Sequence, residues 1–130
     1  MTMLGSKYPI VIVSYRNCEI CSCHLDGYKE NTEALLDRMR EIEIAFSSKP
    51  AHAKYRIWYN LDENKLNPFV MQAIVESVCR IHGHIYKIAF VGLHGMHRYR
   101  FDRLLRQVLK KATLCREYFT DAELAKDWLV

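Results

Sequence analysis

The sequence predicts an α/β domain with a five-stranded, mixed but mostly parallel sheet and four helices, in the order ββαβαβαβα. Three observations predict it. Short β-branched or aromatic runs such as "YPIVIVSY" and "YKIAFV" read as strands. Between them, apolar residues recur every three or four positions, the period of a helix that buries one side. Strands alternating with helices of this length need right-handed crossovers, so most neighbours run parallel, while a short opening hairpin makes the sheet mixed.

Taken in order, Tyr8 to Tyr15 is the first strand, and its Val and Ile content predicts that it is largely buried. Asn17 marks a turn short enough for a hairpin, and "CEICSCHL" continues as the second strand. "DGYKEN" breaks the pattern at Gly27. Asn31 caps a helix from Thr32, in which Leu35, Met39, Ile42 and Phe46 make one apolar stripe. Arg38, Glu41 and Lys49 fall largely outside that stripe, and Pro50 ends the element. Tyr55 to Leu61 is the third strand, aromatic and β-branched.

After the loop "DENKLNP", Asn67 as cap and Pro68 at the first helical position start a helix running to about His82. Val70, Met71, Ile74, Val75, Val78 and Ile81 cover most of its surface, and Gln72, Glu76 and Arg80 form its polar stripe. Such a helix should be buried on more than one side or lend a face to a partner. Gly83 ends it, and Tyr86 to Val91 is the fourth strand. Beyond the glycine-rich "GLHGMHR", Tyr99 to Ala112 reads as a helix. Phe101, Leu104, Leu105, Val108 and Ala112 point inward, and Arg100, Arg103, Arg106 and Lys110 outward. "TLCREYF" is the fifth strand. "TDAE", Thr120 to Glu123, is a capping box that opens a last helix, with Leu124 and Trp128 sealing the core.

A chain of 130 residues suits one domain spanning residues 1–130. Half the residues are hydrophobic, which argues for a packed core and against disorder. The net charge of +4 is mild; nucleic-acid modules are usually more basic, with the charge gathered on one face. No apolar run approaches the roughly 20 residues of a membrane span. The opening segment lacks a signal-peptide core and cleavage pattern, so the expected location is cytoplasmic. Five cysteines, an odd number, argue against a disulfide framework.

Three phrases carry a family resemblance: "RIWYNLDENKLNPFVMQAIVE" (Arg56 to Glu76), "YKIAFVGL" (Tyr86 to Leu93) and "REYFTDAELAKDWLV" (Arg116 to Val130). With the element order, they make the chain resemble a STAS-type domain, the fold of anti-sigma factor antagonists and sulfate-transporter tails. It is more closely similar to the SpoIIAA-like branch of small stand-alone bacterial proteins. The last phrase is the most telling, with its short strand, aromatic residue, Thr-Asp helix start and closing Trp-Leu. The resemblance covers nearly the whole chain, and its motifs are mostly structural. It implies no catalytic reaction and no cofactor. It implies regulatory protein-protein switching, often through phosphorylation of Ser or Thr, and in some relatives the binding of small or lipid-like ligands. The family's usual phosphosite is an Asp-Ser pair followed by Gly at the start of the helix after the third strand. Here that region reads Leu66-Asn67-Pro68-Phe69, without a hydroxyl, and Ser77 lies a turn or more further on. No phosphosite is carried over.

The chemical candidates are few. "NCEICSCH" (Asn17 to His24) invites a metal or redox reading. In a strand, however, Cys21, Cys23 and Leu25 share one side, while Cys18, Ile20, Ser22 and His24 share the other. A tetrahedral zinc site needs four convergent ligands, and no second paired motif exists. Cys79 and Cys115 fall at expected core positions, where a thiol packs as a small hydrophobe. No metal site is assigned.

"GLHGMHRYR" follows a parallel strand and precedes a helix, the usual ligand position of open α/β sheets. Asn67, Gly92, His94, Gly95, His97, Arg98 and Arg100 are the candidate ligand or anion site. The stripe Arg100, Arg103, Arg106 and Lys110, with Lys111 and Arg116 nearby, fits a solvated helix face better than a nucleic-acid surface. Asp62, Glu63 and Asn64 read as a turn. Phe69 and Ala73 are the candidate protein-contact face, through which a homodimer could form.

The leading expectation is a non-catalytic regulatory binding domain with an unknown protein partner. The alternative is a carrier or sensor of a small anionic or lipid-like ligand, for which a pocket under the second and third helices would speak. An enzyme using His94, His97 or the cysteines is the third class.

Overall fold

Residues 9–130 are described by a computed structural model. The elements are β1 (Ile10–Tyr15), β2 (Cys18–His24), α1 (Thr32–Ser47), β3 (Tyr55–Asn60), α2 (Pro68–Arg80), a 3-10 turn (His82–His84), β4 (Ile85–Val91), α3 (Met96–Leu109), β5 (Arg116–Phe119) and α4 (Ala122–Leu129). The order is the expected ββαβαβαβα. The strands lie side by side in chain order; β1 is antiparallel to β2, and every other neighbouring pair is parallel.

The β1–β2 hairpin turns on two residues. Arg16 and Asn17 both have positive φ, 50° and 67°, as a two-residue primed turn requires, and asparagine tolerates that region well. Past the turn, strand alternation sorts the side chains. Cys21, Cys23 and Leu25 enter the main core with Ile57, Tyr59, Ile88 and Phe90. The apolar stripes of α1, α2 and α3 close that core, including Leu35, Met39, Ile42 and Phe46 as predicted. Ile20, Trp58, Ala89 and Val91 face the opposite way, where Ala125 and Leu129 of α4 cover them. Three helices therefore cover one side of the sheet and one helix the other.

Several expectations need correction. β1 is an edge strand rather than a largely buried one: its residues alternate and Ile12 is 48% exposed. Its expected start at Tyr8 lies outside the described residues. α3 begins at Met96, a turn earlier than Tyr99, because Gly95 with φ 52° supplies the break that caps it. It stops at Leu109, where Lys110 turns left-handed at φ 56°, so Ala112 is exposed outside the helix.

The cap of α4 is Asp121, not Thr120; its carboxylate accepts from Glu123 N. Leu124 is exposed and Trp128 half-buried, so they do not seal the core. Small Ala125 lets the helix lie close on β4, while bulky Trp128 sits at the edge against Phe119 and under Lys87. Cys79 is only half-buried, and Cys115 is exposed in the connection before β5. Among the described residues, no helix is long and apolar enough to cross a membrane.

Candidate functional site

The carboxyl ends of β3 and β4 are held by polar groups that are already committed. Asn64 donates to Leu25 O at 2.6 Å and Leu61 O at 2.9 Å, and accepts from Tyr28 N at 3.1 Å. Asn60 accepts from Asp62 N. Asn67, a candidate ligand residue, accepts from Val70 N at 2.9 Å and so serves as the cap of α2. Gly92 has φ 98°, and a Cβ there would stand 2.5 Å from Asp62 N. Only glycine lets the two loops touch so closely. Both residues therefore have structural duties at this rim.

The remaining candidates diverge. His94 reaches toward Asp62 at 3.8 Å. Gly95 gives α3 no side-chain cap, and His97 N donates to His94 O. His97, Arg98 and Arg100 sit in the first turn or two of the helix rather than in a loop, and helical rotation points Arg98 and Arg100 to opposite flanks. Of the residues proposed as one anion site, Gly95 and Arg98 line a hollow on one side of α3, Arg100 lines a hollow on the other, and Asn67, Gly92, His94 and His97 line neither.

The hollow between α2 and α3 has a volume near 360 Å³. Leu66, Pro68, Met71 and Leu104 give it an apolar floor, and Arg100, Arg103 and Gln107 rim it. Among the described residues, neither Arg100 nor Arg103 has a carboxylate within 4.0 Å. Phe69 is 67% exposed at the start of α2, but Ala73 packs against the core, so the two do not form one outer face.

The hollow between α3 and β5 has a volume near 450 Å³ and a different character. Asp102 Oδ1 accepts from Arg116 Nε and from the Tyr118 hydroxyl, both at 2.6 Å, and Oδ2 accepts from Arg106 Nε at 3.2 Å. Burial pushes the Asp102 carboxyl up, but the bonds from Arg116 and Tyr118 outweigh it and hold the group below the usual carboxylate range. Burial and the bond to Asp102 raise the Tyr118 hydroxyl, which stays protonated and donates. The Tyr118 ring stacks on Phe90 and carries the Arg98 guanidinium over its plane at 5.4 Å. The outward stripe is thus not one surface. Arg106 is paired in this hollow, and Arg100 and Arg103 stand unpaired in the other.

The opening cysteines are parted as strand geometry requires. Burial raises both Cys21, to about 11, and Cys23, further still, so neither is a ready thiolate. Cys18 and His24 are on the far side, where His24 meets the Trp58 ring edge-on and lies 3.6 Å from Asp26. Among the described residues, no three His, Cys, Asp or Glu groups converge closely enough to hold a metal ion.

Two polar clusters escaped the sequence reading. Asp102 is one; its spacing to Arg106 was visible, but its partners on β5 were not. The other is Glu43, which accepts from buried Ser77 at 2.6 Å and from Arg80 at 2.7 Å, pinning α1 to α2. A lone serine among the apolar positions of α2 was its only sign.

No family model matches the chain, and no curated protein matches it. It is similar to the crystal structure of an uncharacterised protein of the DUF3478 family, from Shewanella loihica PV-4, described as having a SpoIIAA-like fold. The TM-score is 0.57 and the identity 15%, over 99% of this chain and 100% of that one. At such identity the likeness speaks for the architecture: the chain has a SpoIIAA-like fold.

Proposed function

We propose that this domain acts by binding, without catalysis, and that the α2–α3 hollow takes an amphipathic molecule with an anionic head. The observation that carries the reading is the pairing of an apolar floor with two arginines that no carboxylate neutralises. A solvated helix face needs no such floor, and an internal ion pair would leave no charge to offer. The volume lies within the 300–1,000 Å³ typical of small-molecule sites. An acyl chain would lie on Leu66, Met71 and Leu104, and its carboxylate or phosphate would meet the guanidinium forks, which match oxyanions bidentately. A cytoplasmic carrier or sensor fits this reading.

A fluorescent long-chain fatty acid tests it. Saturable binding should weaken at least about tenfold in Arg100→Glu/Arg103→Glu, a loss of about 1.4 kcal/mol. Wild-type protein that binds no such probe and carries no copurifying amphiphile in native mass spectrometry would overturn it.

One observation favours a second reading, a regulatory protein contact. Phe69 is an exposed aromatic that follows Pro68, a lining residue of the hollow, in the chain, and aromatic anchors carry much of the energy of protein interfaces. If Phe69→Ala abolishes a protein complex while leaving fatty-acid binding intact, this second reading takes precedence.

A further inference from the structure

The open edge of β5 borders the α3–β5 hollow, on the opposite flank of α3 from the proposed ligand site. Among the described residues, β5 has no neighbour on its outer side. In a parallel ladder, alternate residues of an edge strand turn their backbone groups toward the neighbour and away from it. Ile88 N donates to Cys115 O, which places Cys115, Glu117 and Phe119 on the inward set. Arg116 and Tyr118 are then the outward set, with backbone groups that a further strand could use. Such an edge is ordinarily protected.

Among the described residues, a carboxylate covers one of these outward groups. Glu117 wraps round the edge, and its Oε1 accepts from Tyr118 N at 3.0 Å. The same oxygen lies 3.8 Å from the Arg98 guanidinium, which itself sits over the Tyr118 ring. An outward strand amide and a guanidinium thus hold one carboxylate between them. These are the donors that capture an acidic group or chain end of an added peptide. Glu117 and Arg98 are both about half exposed, so the contact can be displaced without unpacking the core.

The charge around the hollow suits the same guest. Three arginines, Arg98, Arg106 and Arg116, face two carboxylates, Asp102 and Glu117. Asp102 is fully occupied by Arg116, Tyr118 and Arg106. Once Glu117 swings away, the surplus positive charge faces the trough.

We propose that the trough between α3 and the free edge of β5 binds an extended acidic peptide by strand addition, with a peptide carboxylate taking the place of Glu117 on Tyr118 N and Arg98. Glu117 is an internal stand-in for the guest, and the guest competes with it.

Fluorescence anisotropy on the full chain tests this with a labelled peptide that alternates valine and glutamate and ends in a free carboxylate. Glu117→Ala should bind it several-fold more tightly than wild type, because the competitor is gone. Arg98→Ala should bind it about tenfold more weakly. Methylating alternate peptide nitrogens should abolish binding, and the Tyr118 amide should exchange more slowly with deuterium in the complex. Both substitutions are at exposed side chains, and unchanged circular dichroism checks their folding. The proposal is overturned if neither wild type nor Glu117→Ala binds at millimolar peptide. It is equally overturned if the methylated peptide binds as well as the parent, which would reduce the interaction to charge alone.

Discussion

The two flanks of α3 are built from the same kinds of residue and put to opposite uses. Toward β5, Arg106 and Arg116 are tied to Asp102, and Tyr118 donates to the same carboxylate. Toward α2, Arg100 and Arg103 stand over Leu66, Met71 and Leu104 with no carboxylate near them. On the first flank Arg116 of β5 is tied to Asp102 and holds the edge strand against the helix. The other flank keeps its cations available over an apolar floor. A count of arginines along the helix cannot separate the two, because the separation is made by Asp102 within the helix and by partners on other elements. Arginines in the first group should matter to stability and those in the second to binding.

The harshest way to break the comparison is to remove what both flanks stand on. Phe101 is fully buried beneath α3, 4.9 Å from the Phe90 ring and 6.2 Å from Tyr118. Phe101→Ala should cost about 3–5 kcal/mol in urea denaturation, as large-to-small changes of a core aromatic do. Ligand binding at the α2–α3 hollow should weaken as well, since Leu104 is positioned by the same helix. A loss below about 1 kcal/mol would mean that α3 is not anchored through this ring, and the two flanks would then have separate supports.

The next test sets the flanks against each other. Asp102→Asn leaves Arg116, whose side chain is only 18% exposed, without its ionic partner. The expected loss is about 1–3 kcal/mol, the usual cost of stranding a largely buried polar group. Arg100→Ala and Arg103→Ala should each change stability by no more than about 0.5 kcal/mol, as surface changes do when they break no contact. Equal losses on the two flanks would erase the distinction.

This contrast also shows what was legible in the sequence. Local rules found what local physics decides. Asn31 and Asn67 cap the helices expected of them, the stripe Leu35, Met39, Ile42 and Phe46 is buried, and Cys21 and Cys23 share the buried side of β2. Errors arose where a long-range choice overrides a local one. Gly95, with its positive φ, starts α3 a turn before the apolar period suggests, which moves His97 and Arg98 from a loop into a helix. In α4, close packing on β4 selects Ala125 and Leu129 over Leu124. The candidate site is dispersed for the same reason. Asn67, Gly92, His94, Gly95, His97, Arg98 and Arg100 are near one another in sequence or at one sheet end, yet Asn67 caps α2, Gly92 abuts Asp62, and Arg98 and Arg100 point to opposite flanks of α3. A chain-order reading could see the spacing of Asp102 to Arg106, but not that Arg116 and Tyr118 of β5 converge on the same carboxylate.

The finest test is the acid limb of stability, where the paired flank should speak and the unpaired one stay silent. Burial alone would raise the Asp102 carboxyl, but the bonds from Arg116 and Tyr118 lower it on balance. Its folded pKa is therefore below its unfolded one, and the unfolded chain takes up the proton first. Stability from this group is fully present above the ordinary carboxylate value of about 4 and is lost as pH falls through the depressed folded value. Glu43 contributes in the same direction, because Arg80 and Ser77 outweigh its burial. Denaturation midpoints measured stepwise from neutral pH into acid should fall for wild type. Asp102→Asn should show a shallower fall over the same range, with only the Glu43 share left of these two. Arg100→Ala should give a curve parallel to wild type, since no carboxylate depends on it. If Arg100→Ala flattened the curve as much as Asp102→Asn, Arg100 would be holding a carboxylate in solution, and the α2 flank would no longer have a free cation to offer a ligand.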